Sequence, residues 1–200
     1  MQALSCLLLI HPSIDKMANH STRGELLWRK VTFVGEAGSG KTTLIKQFCE
    51  GKFSAQSHPT VGADYGHKHC TIGDTEVEVT FWDLAGSPEY RDIYKHLLPQ
   101  SELCILVFDV SKLSVKSVEE WLECVTQYVE TSKLAIFINK ADLIDNKQAS
   151  TSAVDKVKKW LLSSKLYSNL SVYLTRGITD KEVKEYITYL LSQTLPDDTK

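Results

Sequence analysis

The stretch GEAGSGKT at positions 35–42 constrains this chain more than any other part of it. It fits the pattern G-x-x-x-x-G-K-[ST], follows the apolar run VTFVG at 31–35, and leads into the helix-like KTTLIKQFCE at 41–50. Glycines at this spacing let backbone N–H groups turn toward phosphates, and the helix that starts there adds partial positive charge. In such a loop Lys41 can reach the β- and γ-phosphates, and Thr42 can offer its hydroxyl to Mg²⁺. A glycine-rich turn without ligand is the plainer alternative. It does not explain why strand, loop and helix follow in the order the motif requires.

The rest of the chain alternates strand-like and helix-like segments. EVEVTFW at 76–82 alternates, with Val77, Val79 and Phe81 on one face. LCILVF at 103–108 and LAIFIN at 134–139 are apolar throughout, as strands covered on both faces are. LSVYLT at 170–175 gives a further strand, and HKHC at 67–70 lies on another. Within 117–129, Val118, Trp121, Leu122, Val125 and Val129 recur at helical spacing. Val154, Val157, Trp160 and Leu161 mark the next helix. The final helix opens with TDKE at 179–182, a capping-box pattern, and turns Val183, Ile187 and Leu190 inward. This order predicts an α/β fold of the P-loop NTPase kind, with a six-stranded, mostly parallel sheet and helices on both faces. Ligands then bind beyond the carboxyl ends of the strands. The expected organisation is an N-terminal extension without fixed structure over 1–28, one domain over 29–193, and a short polar tail over 194–200.

Composition excludes little but points one way. Of the 200 residues, 42% are apolar and 24% charged, enough for a sizeable core. A formal charge of −2 gives no hint of a nucleic-acid surface. No run of eighteen apolar residues occurs, so no spanning helix is expected. Cys6, Cys49, Cys70, Cys104 and Cys124 are scattered, which suits reduced thiols in the cytoplasm. The apolar start MQALSCLLLIHPS lacks a preceding basic residue and is read as an extension, with Met17 a possible alternative start. His67 and His69 share one strand face and could bind zinc, against the plainer reading of an exposed polar face. Trp121 and Trp160 fall at core or core-edge positions.

The base is selected by NKAD at 139–142, directly after the LAIFIN strand. Asp142 can accept two hydrogen bonds from guanine, at N1–H and the amino group. Adenine offers no matching donors there and would leave a buried carboxylate unpaired. Asn139 can tie this loop to the phosphate loop, and Lys140 can lie along the base.

With these two motifs the chain resembles the Ras-like small GTPases, and the Rab branch most closely, from about Lys30 to Leu191. The resemblance implies GTP or GDP with Mg²⁺ as cofactors. It implies a phosphate site of Gly35, Glu36, Ala37, Gly38, Ser39, Gly40, Lys41, Thr42 and Thr43, with Phe53 covering guanine. HPTVGADY at 58–65 is similar to switch I, so Thr60 would complete the Mg²⁺ shell beside Thr42. WDLAG at 82–86 is similar to the start of switch II. There Asp83 would hold Mg²⁺ through water, and the Gly86 N–H would sense the γ-phosphate. Lys41, Thr60 and Gly86 are then the catalytic set. Thr175 and Arg176 stand in the last guanine-contact loop. The implied mechanism is a phosphate-gated order–disorder switch. Effector proteins would bind switch I at 54–65 and switch II at 84–98, with an exchange factor and a GTPase-activating protein as further partners. A monomer is expected.

The departures from the family are specific. Ala37 and Ser87 replace a usual glycine and the usual glutamine, and a serine is too short to orient the attacking water easily. Glu89 is a possible substitute, and Pro88 would stiffen the loop. Thr175-Arg176-Gly177 replaces Ser-Ala-Lys, so weaker nucleotide binding is expected. Of the aromatic surface cluster of Rab proteins, Tyr65 and Trp82 are kept and Leu97 replaces an aromatic. The ending DDTK offers no cysteine for prenylation. A cytoplasmic protein held at membranes through partners is expected, unless the natural chain is longer. The leading expectation is a slow Rab-like switch in vesicle or flagellar trafficking. The rivals are a hydrolysis-deficient GTP-binding scaffold and a Roc-type GTPase module. An ATP-using kinase is disfavoured by NKAD.

Overall fold

In the computed structural model the described residues are 26–53, 58–144, 148–177 and 180–196. Strand β1 (Leu27–Val34) leads through the phosphate loop into α1 (Lys41–Glu50). A hairpin of β2 (Ala63–Ile72) and β3 (Thr75–Leu84) follows, then a 3₁₀ turn over Pro88–Ile93 and the single-turn α2 (Tyr94–Leu97). Next come β4 (Leu103–Asp109), α3 (Val115–Val125), β5 (Leu134–Asn139), α4 (Gln148–Ser163), β6 (Ser171–Leu174) and α5 (Asp180–Gln193). These form the six-stranded sheet β2-β3-β1-β4-β5-β6. Only the β2–β3 pair is antiparallel.

The strands that read as unbroken apolar runs are those with cover on both sides. Along β4, Cys104, Leu106 and Phe108 enter one core with Val118, Trp121 and Leu122 of α3 and Val154 and Val157 of α4. The alternate residues Leu103, Ile105 and Val107 enter a second core with Leu44 and Phe48 of α1 and Val183 and Ile187 of α5. Strand β5 divides in the same way, Ile136 to one side and Phe137 to the other. Two cores back to back hold the sheet between helix layers, and every parallel strand ends on the same edge.

Several boundaries differ from the sequence-based expectation for physical reasons. Strand β1 starts at Leu27, pairing its first residues in register with Val77 and Glu78 of β3. Helix α3 stops at Val125, where the Thr126 hydroxyl bonds back to the Leu122 carbonyl and the chain turns. Val129 stays buried nonetheless, so its apolar signal was core and not helix. Thr179 of the expected capping box lies outside the described residues, as do Cys6, the apolar start and positions 54–57.

His67 and His69 do share a face. Each meets a glutamate of β3, His67 with Glu78 at 3.2 Å and His69 with Glu76 at 3.0 Å. Among the described residues no group of three or more histidine, cysteine or acidic side chains is placed to hold a metal. The zinc alternative therefore gives way to a polar cross-strand surface. Cys49, Cys70, Cys104 and Cys124 are free thiols, and Trp121 and Trp160 pack at the core and its edge.

Phe81 lies between Phe48 and Phe33, at ring-centroid distances of 5.1 and 6.3 Å, and is fully buried. Phe81→Ala should lower unfolding free energy by about 3–5 kcal/mol through lost burial and the cavity it leaves. Chemical denaturation measures this. A loss below about 1 kcal/mol would mean the second core is not packed as described.

Candidate nucleotide site

The structure brings the phosphate loop, Thr60, Asp83, Gly86, Asn139 and Thr175 together at one edge, where the carboxyl ends of the parallel strands lie. The phosphate loop leaves β1 with Gly35 at φ 134°. A Cβ at Gly35 would come within 2.1 Å of the Val107 carbonyl oxygen, so only glycine lets the loop lie against β4. Gly40, at φ 100°, precedes α1, and a Cβ there would come within 2.3 Å of Asn139 Nδ2. Ala37 and Gly38 are exposed at the loop's outer side, while Ser39 is buried with its hydroxyl unpartnered.

Lys41 folds back into its own loop. Its ammonium donates to the carbonyls of Gly35 and Glu36, both at 2.9 Å. Burial lowers its pKa to about 8, against the upward pull of Asp83 and Glu36. Thr43 of the same turn lies beside Gly177, where a Cβ would stand 3.2 Å from its methyl.

Three residues expected around Mg²⁺ converge. The Thr42 hydroxyl donates to Asp83 Oδ2 in a short hydrogen bond, and the Thr60 hydroxyl reaches the same oxygen at 3.0 Å. Thr42 and Thr60 stand 3.2 Å apart. The other oxygen, Asp83 Oδ1, is buried without a partner. Burial raises the Asp83 carboxyl above its ordinary value, and the two threonine hydroxyls and Lys41 only partly offset this. One carboxylate and two hydroxyls are oxygen donors of the kind a small hard cation such as Mg²⁺ takes together with water and phosphate oxygens.

Gly86 follows β3 and touches the phosphate loop. A Cβ on it would come within 2.3 Å of the Gly35 carbonyl oxygen and 2.4 Å of the Ala37 nitrogen. Ser87 then opens the 3₁₀ turn, with Pro88 in its first turn and Glu89 exposed. Tyr65 and Trp82 stand side by side on the hairpin, ring centroids 5.8 Å apart, and Leu97 is half-buried against the core.

At the other end of the site Asn139 bridges two loops. Its amide donates to the Ser39 carbonyl at 3.0 Å and its oxygen accepts from the buried Thr175 hydroxyl at 3.2 Å. Lys140 sits at φ 60° and reaches Asp109 at 2.7 Å. Asp142 is half-buried, and no described residue donates a hydrogen bond to it. Arg176 pairs with Glu182 of α5 at 2.9 Å. Phe53 is exposed at the end of its described segment.

Sequence reading missed Asp109, which ends β4 and takes Lys140 on one oxygen and Ser111 on the other. Burial would raise its pKa, but the hydrogen bonds from Lys140 and Ser111 win and hold it low. The available signal was a single acid closing an otherwise apolar run.

A model of the Ras family matches residues 30–191, most of the chain and every site residue named above. The chain belongs to the Ras family. Its relatives include human Ras-related protein Rab-30, 29% identical over 129 residues, or 64% of each chain. Rab-2B of Dictyostelium discoideum is 31% identical over 134 residues, 66% of each chain. RABG3b of Arabidopsis thaliana is 34% identical over 146 residues, 70% of this chain and 71% of its own. These relatives place it beside the Rab branch of the small GTPases. The match spans 64% of the length of Rab-30.

Lys41 supplies a pH test on protein freed of nucleotide. Its folded pKa of about 8 lies below the ordinary 10.5, so the unfolded chain binds more protons between those values. Stability therefore rises with pH across that window relative to Lys41→Met, and the penalty is at its full value below it. Urea denaturation of both proteins from pH 7.5 to 10 measures the difference; parallel curves would contradict a buried Lys41.

Proposed function

We propose that the protein is a Rab-like guanine-nucleotide switch with slow intrinsic GTP hydrolysis, acting in vesicle or flagellar trafficking. The observation that carries the nucleotide assignment is the meeting of Thr42, Thr60 and Asp83 beside the glycine-lined loop. The trafficking role rests on the likeness to Rab-named relatives alone.

The residues divide the work as follows. Backbone N–H groups of residues 36–43 and the ammonium of Lys41 bind phosphate, and Lys41 leaves its two loop carbonyls to do so. Bound Mg²⁺ would neutralise charge between the β- and γ-phosphates. Thr42, Thr60 and Asp83 would hold that cation. The Gly86 N–H reads the γ-phosphate. Asp142 selects guanine, and Asn139 fixes that loop to the phosphate loop through the Ser39 carbonyl. Lys140 lays its stem along the base with its ammonium on Asp109. Phe53 covers the base from the other side, and Thr175 and Arg176 close the site. Effectors bind through the two switch segments, with an exchange factor and an activating protein setting the cycle.

Ser87 makes the clock slow. It stands where water would be oriented, yet its hydroxyl is short and it enters a turn stiffened by Pro88. Ras hydrolyses GTP unassisted at roughly 10⁻⁴ s⁻¹. Single-turnover hydrolysis here should be about tenfold slower or more, and Ser87→Gln should raise it. A rate equal to that of Ras, with no gain from the glutamine, would overturn the slow-clock proposal. A rate of zero in both proteins would favour the hydrolysis-deficient scaffold.

A further inference from the structure

Tyr94 is fully buried, and its hydroxyl donates to the Ala85 carbonyl at 2.8 Å. Its ring packs against Trp121, 6.2 Å between centroids, and the Arg91 guanidinium covers the other ring at 5.0 Å. The Ala85 N–H in turn donates to the Gly62 carbonyl at 2.8 Å. Ala85 is therefore held on both sides, by the core through its C=O and by the start of β2 through its N–H.

The C=O of Ala85 and the N–H of Gly86 belong to one peptide unit. No cis bond occurs among the described residues, and in a trans peptide these two groups point in opposite directions. A carbonyl turned into the core toward Tyr94 turns the Gly86 N–H out of it. Gly86 lies against Gly35, Glu36 and Ala37, so this peptide unit borders the phosphate loop. No described residue accepts a hydrogen bond from it.

We infer that Tyr94 is a positioning residue: its hydroxyl fixes the direction of the Gly86 N–H and so sets how well the protein tells GTP from GDP. This rests on the guanine-nucleotide assignment above. With Tyr94 in place the peptide is turned the right way before nucleotide arrives, and no reorganisation opposes contact with a γ-phosphate. GDP has no γ-phosphate, so its binding does not depend on that direction. The competing account is that Tyr94 is a core aromatic whose hydroxyl merely finds an acceptor, as buried tyrosines do. The two differ in nucleotide selectivity.

The test compares dissociation constants for GDP and a non-hydrolysable GTP analogue, with Mg²⁺, in wild type and Tyr94→Phe. The variant keeps the ring and removes one hydrogen bond. Affinity for the GTP analogue should fall about five- to tenfold, the equivalent of one net hydrogen bond, with the GDP constant unchanged. Trp121→Phe serves as the packing control; it should lower the unfolding temperature and leave the ratio of the two constants alone. Equal changes for both nucleotides, no change, or an equal shift of the ratio in Trp121→Phe would overturn the inference. A wild-type protein that takes up neither nucleotide would overturn the nucleotide assignment itself, and is distinguishable for that reason.

Discussion

The phosphate loop can sit where it does only because three backbone contacts have no room for a methyl group. Gly35 rests on the Val107 carbonyl, Gly40 on the Asn139 amide, and Gly86 on Gly35 and Ala37. Each contact joins the loop to a different strand end: β4, β5 and β3. The loop is thereby fixed to the sheet edge at three points, and the side chains around it inherit its position. Lys41 is buried because the loop wraps it. Asn139 reaches the Ser39 carbonyl because Gly40 lets it approach. Asp83 and Thr42 meet because β3 ends, and α1 begins, at that same edge, and Thr60 joins them there.

Beneath this edge, burial on both faces supports the hydrogen-bonded sheet. Alternate residues of β4 and β5 feed two cores, one under α3 and α4 and one under α1 and α5. That is why their sequences show no polar face. It is also why the fold was legible: unbroken apolar runs of strand length, between amphipathic helices, have few other arrangements. The phosphate loop and NKAD were legible for a related reason. Their chemistry needs particular residue types at fixed spacing, and glycine and asparagine cannot be exchanged there without clash or lost hydrogen bonds.

What could not be read was settled by tertiary contacts between distant residues. Asp109 looked like the end of a strand and acts as the partner of Lys140, thirty-one positions away. Tyr94 looked like one more residue of a switch segment and is a buried link to the backbone before Gly86. Arg176 was expected at the base and pairs with Glu182, which the sequence marked only as part of a capping box. Val129 carried helical periodicity yet belongs to a turn, because burial and not helix required an apolar residue there. Local pattern reports which face is buried; it does not report which polar groups find each other.

The central claim is that the glycine-lined loop and the Asp142 loop together hold a guanine nucleotide, and its direct test needs no variant. Purified protein is denatured and the released nucleotide identified by chromatography, then followed over hours in protein kept native. The account predicts a guanine nucleotide, with GDP the mark of a switch that turns over, while GTP that persists unconverted would favour the hydrolysis-deficient scaffold. Release of ATP or ADP would contradict it, since adenine leaves the half-buried Asp142 carboxylate without a donor.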